Sequence, residues 1–149
     1  MITAEGLAAR LDGLADIGVG PEGVYRLAWT EEDAATRAWF ERQADETGLR
    51  FERDPAGNLW ACPDADPPWW GIGSHLDSVR GGGRFDGPLG VACGFEIAGQ
   101  AVKPGPGVDQ PVGIDAGHAH RVAQRHAVVV AAIEHGGQVE PPGQRLAPE

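Results

Sequence analysis

Apolar positions recur with helical spacing in three stretches of the chain and alternate with charged ones in another. Leu7, Leu11 and Leu14 stand at i, i+4 and i+7 behind Thr3, a residue suited to cap a helix, which predicts a first amphipathic helix. Gly18, Gly20, Pro21 and Gly23 break it. Thr30 followed by Glu31, Glu32 and Asp33 marks a second start, with acids where the helix dipole favours them. That helix is expected to carry Ala35 and Trp39 on one flank, with Phe40 and Ala44 beside it, and to stop at Gly48. Leu49 to Glu52 alternates like a half-buried strand. Asp54 to Asn58 supplies turn residues, and Leu59 to Cys62 reads as the returning strand. Pro63 to Pro68 then leads into Trp69 to Gly73, a short apolar run that reads as a buried strand. Beyond the Gly81-Gly82-Gly83 loop, Leu89, Cys93 and Ile97 predict a third helical stripe.

The order helix, helix, strand, strand, strand, helix points to an α/β layer architecture, with helices packed on a mixed sheet. The regularity fades after Gly99. All ten aromatic residues lie between Tyr25 and Phe95, whereas residues 100–149 hold 13 Gly or Pro and four of the five histidines. Residues 1–99 are therefore expected to be ordinary folded sequence. Residues 100–149 are expected to be an atypical Gly/Pro-rich tail, poorly ordered for want of aromatic anchors. Within it, Lys103 to Gly107 reads as a linker, and Val128 to Ile133 could be a strand or a buried helical turn.

Charge narrows the function classes. Twelve Lys or Arg against 22 Asp or Glu leave a formal charge of −10 in 149 residues, which argues against nucleic acid as a partner. No run approaches the roughly 18 apolar residues of a membrane span. Met1 to Glu5 lacks the basic and apolar segments of a secretory signal. Cys62 and Cys93 lie in apolar segments without CxxC spacing, so a cytoplasmic chain with two buried thiols is expected.

Candidate chemistry concentrates in Gly73-Ser74-His75-Leu76-Asp77-Ser78-Val79 and Gly81-Gly82-Gly83-Arg84-Phe85-Asp86-Gly87. Side chains at i and i+2 of a strand share a face. His75 and Asp77 are thus expected to project together, the carboxylate accepting the other ring N–H of a metal-binding histidine. Asp86 follows a glycine loop able to return it toward His75, and one carboxylate can bridge two divalent ions. His and Asp together favour zinc, manganese or a similar ion. Plainer readings stand beside this one. A His-x-Asp pair can be a surface hydrogen bond, and Asp86 could cap the helix entered by Gly87 and Pro88. Neither Ser74 nor Ser78 sits in a nucleophile elbow. The glycine run has no phosphate-loop spacing, and Trp69 and Trp70 read as core.

Together, Ile72 to Val79 and Gly82 to Val91 resemble the first metal motif of the N-carbamoyl-L-amino-acid hydrolase and allantoate amidohydrolase branch of the M20 metallopeptidase-like superfamily. Tyr25 to Thr30 and Asp54 to Trp60 are similar to the N-terminal region of that family, so the resemblance covers residues 3–99. Ser78 and Pro88 depart from it, standing where Thr and a small residue are usual. The resemblance implies that His75 binds one metal, that Asp77 supports it and belongs to the catalytic set, and that Asp86 bridges two ions. Zinc or manganese, with cobalt or nickel as substitutes, would then activate water to hydrolyse a linear C–N bond in an N-carbamoyl or ureido amino acid. The family fold is an α/β catalytic domain interrupted by a lid domain.

This chain holds no adjacent glutamate pair between Gly99 and Glu149, where the family places its general base and a further ligand, and no recognisable lid sequence. A truncated member with little activity is therefore expected, its family-type homodimer compromised without the lid domain. A non-catalytic fragment that at most binds metal, and a dipeptidase or deacylase of the same superfamily, remain alternatives. His118, His120 and His126 could be adventitious ligands.

Overall fold

The computed structural model describes residues 2–64, 69–102 and 128–132. Helix α1 spans Ala4–Asp12, with the Thr3 hydroxyl accepting the Gly6 N–H at 3.0 Å. It ends before Leu14, which turns in from the following residues and is 2% exposed, while Leu7 and Leu11 are half-buried. The short strands β1 (Val19–Gly20) and β2 (Gly23–Val24) form an antiparallel hairpin where the glycines break the helix.

Helix α2, Glu31–Thr47, opens with two reciprocal caps. Asp33 N–H donates to the Thr30 hydroxyl at 3.4 Å, and Trp29 N–H donates to the Asp33 carboxylate at 3.0 Å. Gly48 closes it in the left-handed conformation, φ 74°, where a residue without Cβ is favoured. Trp39, Phe40 and Ala44 are buried as the pattern predicts, but Ala35 is exposed. Thr36 and Thr47 occupy the inner face instead. Their hydroxyls donate to the carbonyls of Glu32 at 2.8 Å and Gln43 at 2.6 Å, and this internal satisfaction lets polar residues be buried at little cost.

Strands β3 (Arg50–Arg53), β4 (Leu59–Cys62), β5 (Trp70–Ser74) and β6 (Val128–Ala132) make one mixed sheet in the order β3-β4-β6-β5. β3 and β4 pair antiparallel across the Asp54–Asn58 turn, as do β4 and β6; β5 and β6 run parallel, with Trp70 opposite Val128 and Ser74 opposite Ala132. The mixed sheet agrees with the expected α/β class. Val128–Ala132 fall inside the stretch that composition set apart, yet they form an inner strand. An unbroken apolar run suits a strand flanked on both sides. Residues 103–127 and 133–149 lie outside the described residues, and with them the linker and the tail histidines.

Helix α3, Pro88–Val102, packs on the sheet, with α1 and α2 against its other flank. Phe95 is its anchor, meeting Phe40 at 5.0 Å and Trp39 edge-on at 6.1 Å between ring centroids. Val91, Ala92, Phe95 and Ala98 face the core, whereas the predicted stripe of Leu89, Cys93 and Ile97 is half-buried or exposed. The helix is apolar nearly all round, so spacing alone could not select the inner face. Trp69 to Gly73 is likewise less buried than predicted. Trp69 packs beside Trp60 and Cys62, but Trp70, its neighbour on the opposite face of the strand, is 71% exposed.

Candidate metal centre

β5 delivers His75 as the first residue past its end. The ring is fixed on one side by Asp77. Its Nδ1 lies 3.0 Å from the Asp77 main-chain oxygen and 3.3 Å from Oδ1 of the same residue. Both neighbours only accept, so Nδ1 carries the proton. The pair therefore meets just past the end of the strand, and the main-chain oxygen is a contact that the i, i+2 argument did not foresee.

On the other side of the ring, His75 Nε2 stands 3.7 Å from Oδ1 of Asp86. Asp86 arrives from the Gly81–Gly83 loop, with its N–H donating to the Gly83 carbonyl at 3.3 Å, and its side chain is 66% exposed. The loop is held close by two glycines. Gly87 has φ +87°, and a Cβ there would lie 2.4 Å from the His75 carbonyl oxygen and 2.6 Å from Nδ1. A Cβ on Gly90 would lie 2.7 Å from that of Ser74. Both glycines stand in the quoted motif, but their role follows only from the tertiary contact.

The three sequence-selected residues are thus side by side, with His75 between the two aspartates. With its proton on Nδ1, a neutral imidazole turns a lone pair toward the Asp86 carboxylate. At 3.7 Å the two atoms are too far apart to hydrogen-bond. Donor atoms bound to one tetrahedral zinc at 2.0–2.2 Å stand about 3.4 Å apart, so the donor set fits a divalent cation between them. Among the described residues, no third His, Cys, Asp or Glu completes such a cluster. His118, His120 and His126 fall outside them. Ser74 is half-buried, and Ser78 is buried with its hydroxyl bonded to main chain. No helix among the described residues is long and apolar enough to cross a membrane.

No protein-family model matches the chain. Individual proteins do. The N-carbamoyl-L-amino acid amidohydrolase of Geobacillus stearothermophilus is 43% identical over 103 residues, which are 65% of this chain and 25% of that protein. A ureidoglycolate hydrolase of Arabidopsis thaliana is 28% identical over 99 residues, covering 64% of this chain and 21% of that one. Among solved structures, an amidase of the hydantoinase/carbamoylase family from Burkholderia phymatum superposes with TM-score 0.70 at 30% identity, over 89% of this chain and 29% of that one. The chain thus spans about a quarter of the length of the curated relatives it matches. In sequence and in fold, the chain is similar to part of the N-carbamoyl-L-amino-acid amidohydrolases and of the hydantoinase/carbamoylase amidases.

Proposed function

We propose that this chain carries part of the active site of a metal-dependent hydrolase of linear C–N bonds in N-carbamoyl or ureido amino acids. The names of its relatives support the substrate class. The observation that carries the metal reading is the pair of lone-pair donors, His75 Nε2 and Asp86 Oδ1, facing each other at 3.7 Å. His75 and Asp86 are the ligands in this reading, and zinc or manganese, with cobalt or nickel as substitutes, is the ion that suits them. Such an ion, when bound, polarises the scissile carbonyl and acidifies water. Asp77 holds the proton on His75 Nδ1, which puts the lone pair on Nε2. Its carboxylate is engaged there, so Asp77 is a poor substitute for a general base. A small-molecule substrate and a cytoplasmic setting complete the reading.

A second reading, a metal-binding chain without turnover of its own, is favoured by the count of two ligands among the described residues. Three or four protein ligands are usual for firm zinc binding. General-base catalysis is typically worth about 10²–10⁴-fold, and the glutamate pair is absent from Gly99 to Glu149. We therefore propose that the 149-residue chain turns over slowly by itself. The test is zinc and manganese titration of the chain and its His75→Ala and Asp86→Ala variants. Ammonia release from N-carbamoyl amino acids is followed alongside, with dipeptides and N-acyl amino acids as rival substrates. Metal binding lost in both variants supports the site. Binding that ignores both substitutions overturns it, and robust His75-dependent turnover overturns the second reading.

A further inference from the structure

We propose that Ser78 is a positioning residue: it ties the strand end bearing His75 and Asp77 to the loop bearing Asp86, through the Val24–Arg26 segment, and so sets the His75–Asp86 separation. This rests on the metal reading above. The two candidate ligands come from separate stretches, and the eleven-residue step between them contains a glycine run with no regular structure to hold it. What holds it is a strap after the β1–β2 hairpin. Val24 exchanges two main-chain bonds with Gly82, each 2.9 Å, and Ser78 N–H donates to the Arg26 carbonyl at 2.7 Å. The Ser78 hydroxyl closes the figure, accepting the Arg26 N–H at 2.9 Å and donating to the Val24 carbonyl at 3.2 Å. One strap of three residues therefore grips both ends of the segment from 78 to 82.

The strap is buried. Val24 and Ser78 are each 6% exposed and Arg26 1%, so water cannot stand in for a lost bond at small cost. A hydroxyl is needed at position 78 because one group must accept and donate at once. Both functions are engaged by main chain. The contact is close on the far side too. A Cβ on Gly82 would lie 3.1 Å from the Ser78 Cβ and from the Val79 carbonyl oxygen, and one on Gly23 would lie 2.7 Å from the Gly82 oxygen. The Arg26 side chain shares this interior, donating to the Leu14 carbonyl at 3.3 Å.

The experiment compares zinc titrations of the 149-residue chain with those of Ser78→Ala, Ser78→Thr, Gly82→Ala and Thr47→Ala, at a temperature where circular dichroism shows each folded. Thr47→Ala removes another buried hydroxyl, on the far end of α2, and controls for general loosening. Zinc affinity should fall about 10-fold in Ser78→Ala, the size seen when a group that orients a ligand is lost. It should fall in the same direction in Gly82→Ala and stay close to wild type in Ser78→Thr and Thr47→Ala. Amide exchange at Val24 and Gly82 should quicken in Ser78→Ala but not in Thr47→Ala. If Ser78→Ala does not fold, Gly82→Ala set against Thr47→Ala decides. Zinc binding that is lost in His75→Ala but unchanged in Ser78→Ala overturns this inference alone. Binding that ignores His75→Ala overturns the metal reading and this inference with it.

Discussion

Gly87 lies against His75 so closely that a Cβ on it would come within 2.4 Å of the histidine carbonyl oxygen and 2.7 Å of ring carbon Cε1. The glycine that ends the Asp86 loop is thus one wall of the histidine's seat. Its φ of +87° adds a second demand, because L side chains rarely adopt that region.

Gly87→Ala should therefore both strain the backbone and push His75 out of line. The left-handed conformation alone costs a non-glycine residue about 1–2 kcal/mol, and the clash with main chain adds to it. Urea unfolding should show a loss of at least about 1 kcal/mol. Zinc titration should show affinity falling further than stability explains. A variant with wild-type affinity would remove Gly87 from the account of the site.

Asp77→Ala should weaken metal binding without abolishing it. Loss of a group that orients a ligating histidine costs about 10–100-fold, but here the Asp77 main-chain oxygen, at 3.0 Å from Nδ1, outlives the substitution. The expected loss is at the lower end, about 10-fold. A titration showing complete loss would mean that the carboxylate at 3.3 Å is the one effective partner.

Phe95→Ala should be among the most damaging core substitutions. The ring is fully buried and meets both Trp39 and Phe40. Truncating such a phenylalanine typically costs about 3–5 kcal/mol. Leu89→Ala on the same helix should cost less, since Leu89 is 40% exposed. Equal losses in the two denaturation curves would show that the inner face of α3 is misassigned.

Asp54 makes one part of stability depend on pH. Partial burial by itself would raise its pKa, but hydrogen bonds from the Asn58 side chain, the Trp60 indole, and the Asn58 and Ala56 backbone outweigh this and lower it. A carboxyl group with a depressed folded-state pKa stabilises above its unfolded value, near 3.9, and that contribution is lost as pH falls through the folded value. Asp54→Asn should therefore be less stable than wild type at pH 7, and the gap should begin to narrow as pH falls below about 4. A gap that persists unchanged at pH 2.5 would show that the charge at the β3–β4 turn is immaterial.

The local elements were legible because their causes are local. Thr3, Thr30 and Gly48 act within a few residues of themselves, and each cap predicted from them is present. The β3–β4 hairpin follows from apolar alternation around a turn that Asp54 and Gly57 favour, with Gly57 at φ +94°. The GSHLDS and GGRFDG stretches likewise mark the histidine and the two aspartates. Their contact across eleven residues was not derivable from spacing, since it depends on a loop of three glycines and a strap drawn from residues 24–26.

By itself, then, the sequence determined where α1 and α2 start and where α2 stops, the α/β class, the candidate residues for the chemistry, and the family likeness. Tertiary structure alone decided which face of α3 is inward. Helix α3 is apolar on almost every side, so packing against β5, β6 and Phe40 selected Val91, Ala92 and Phe95 over Leu89, Cys93 and Ile97. It also decided that Val128–Ala132 run between β4 and β5, for a strand's neighbours are set by long-range hydrogen bonding that composition does not record. The same kind of long-range contact turns Asp86 toward His75, because the approach of two backbones is governed by what each lacks, and Gly87 lacks a side chain.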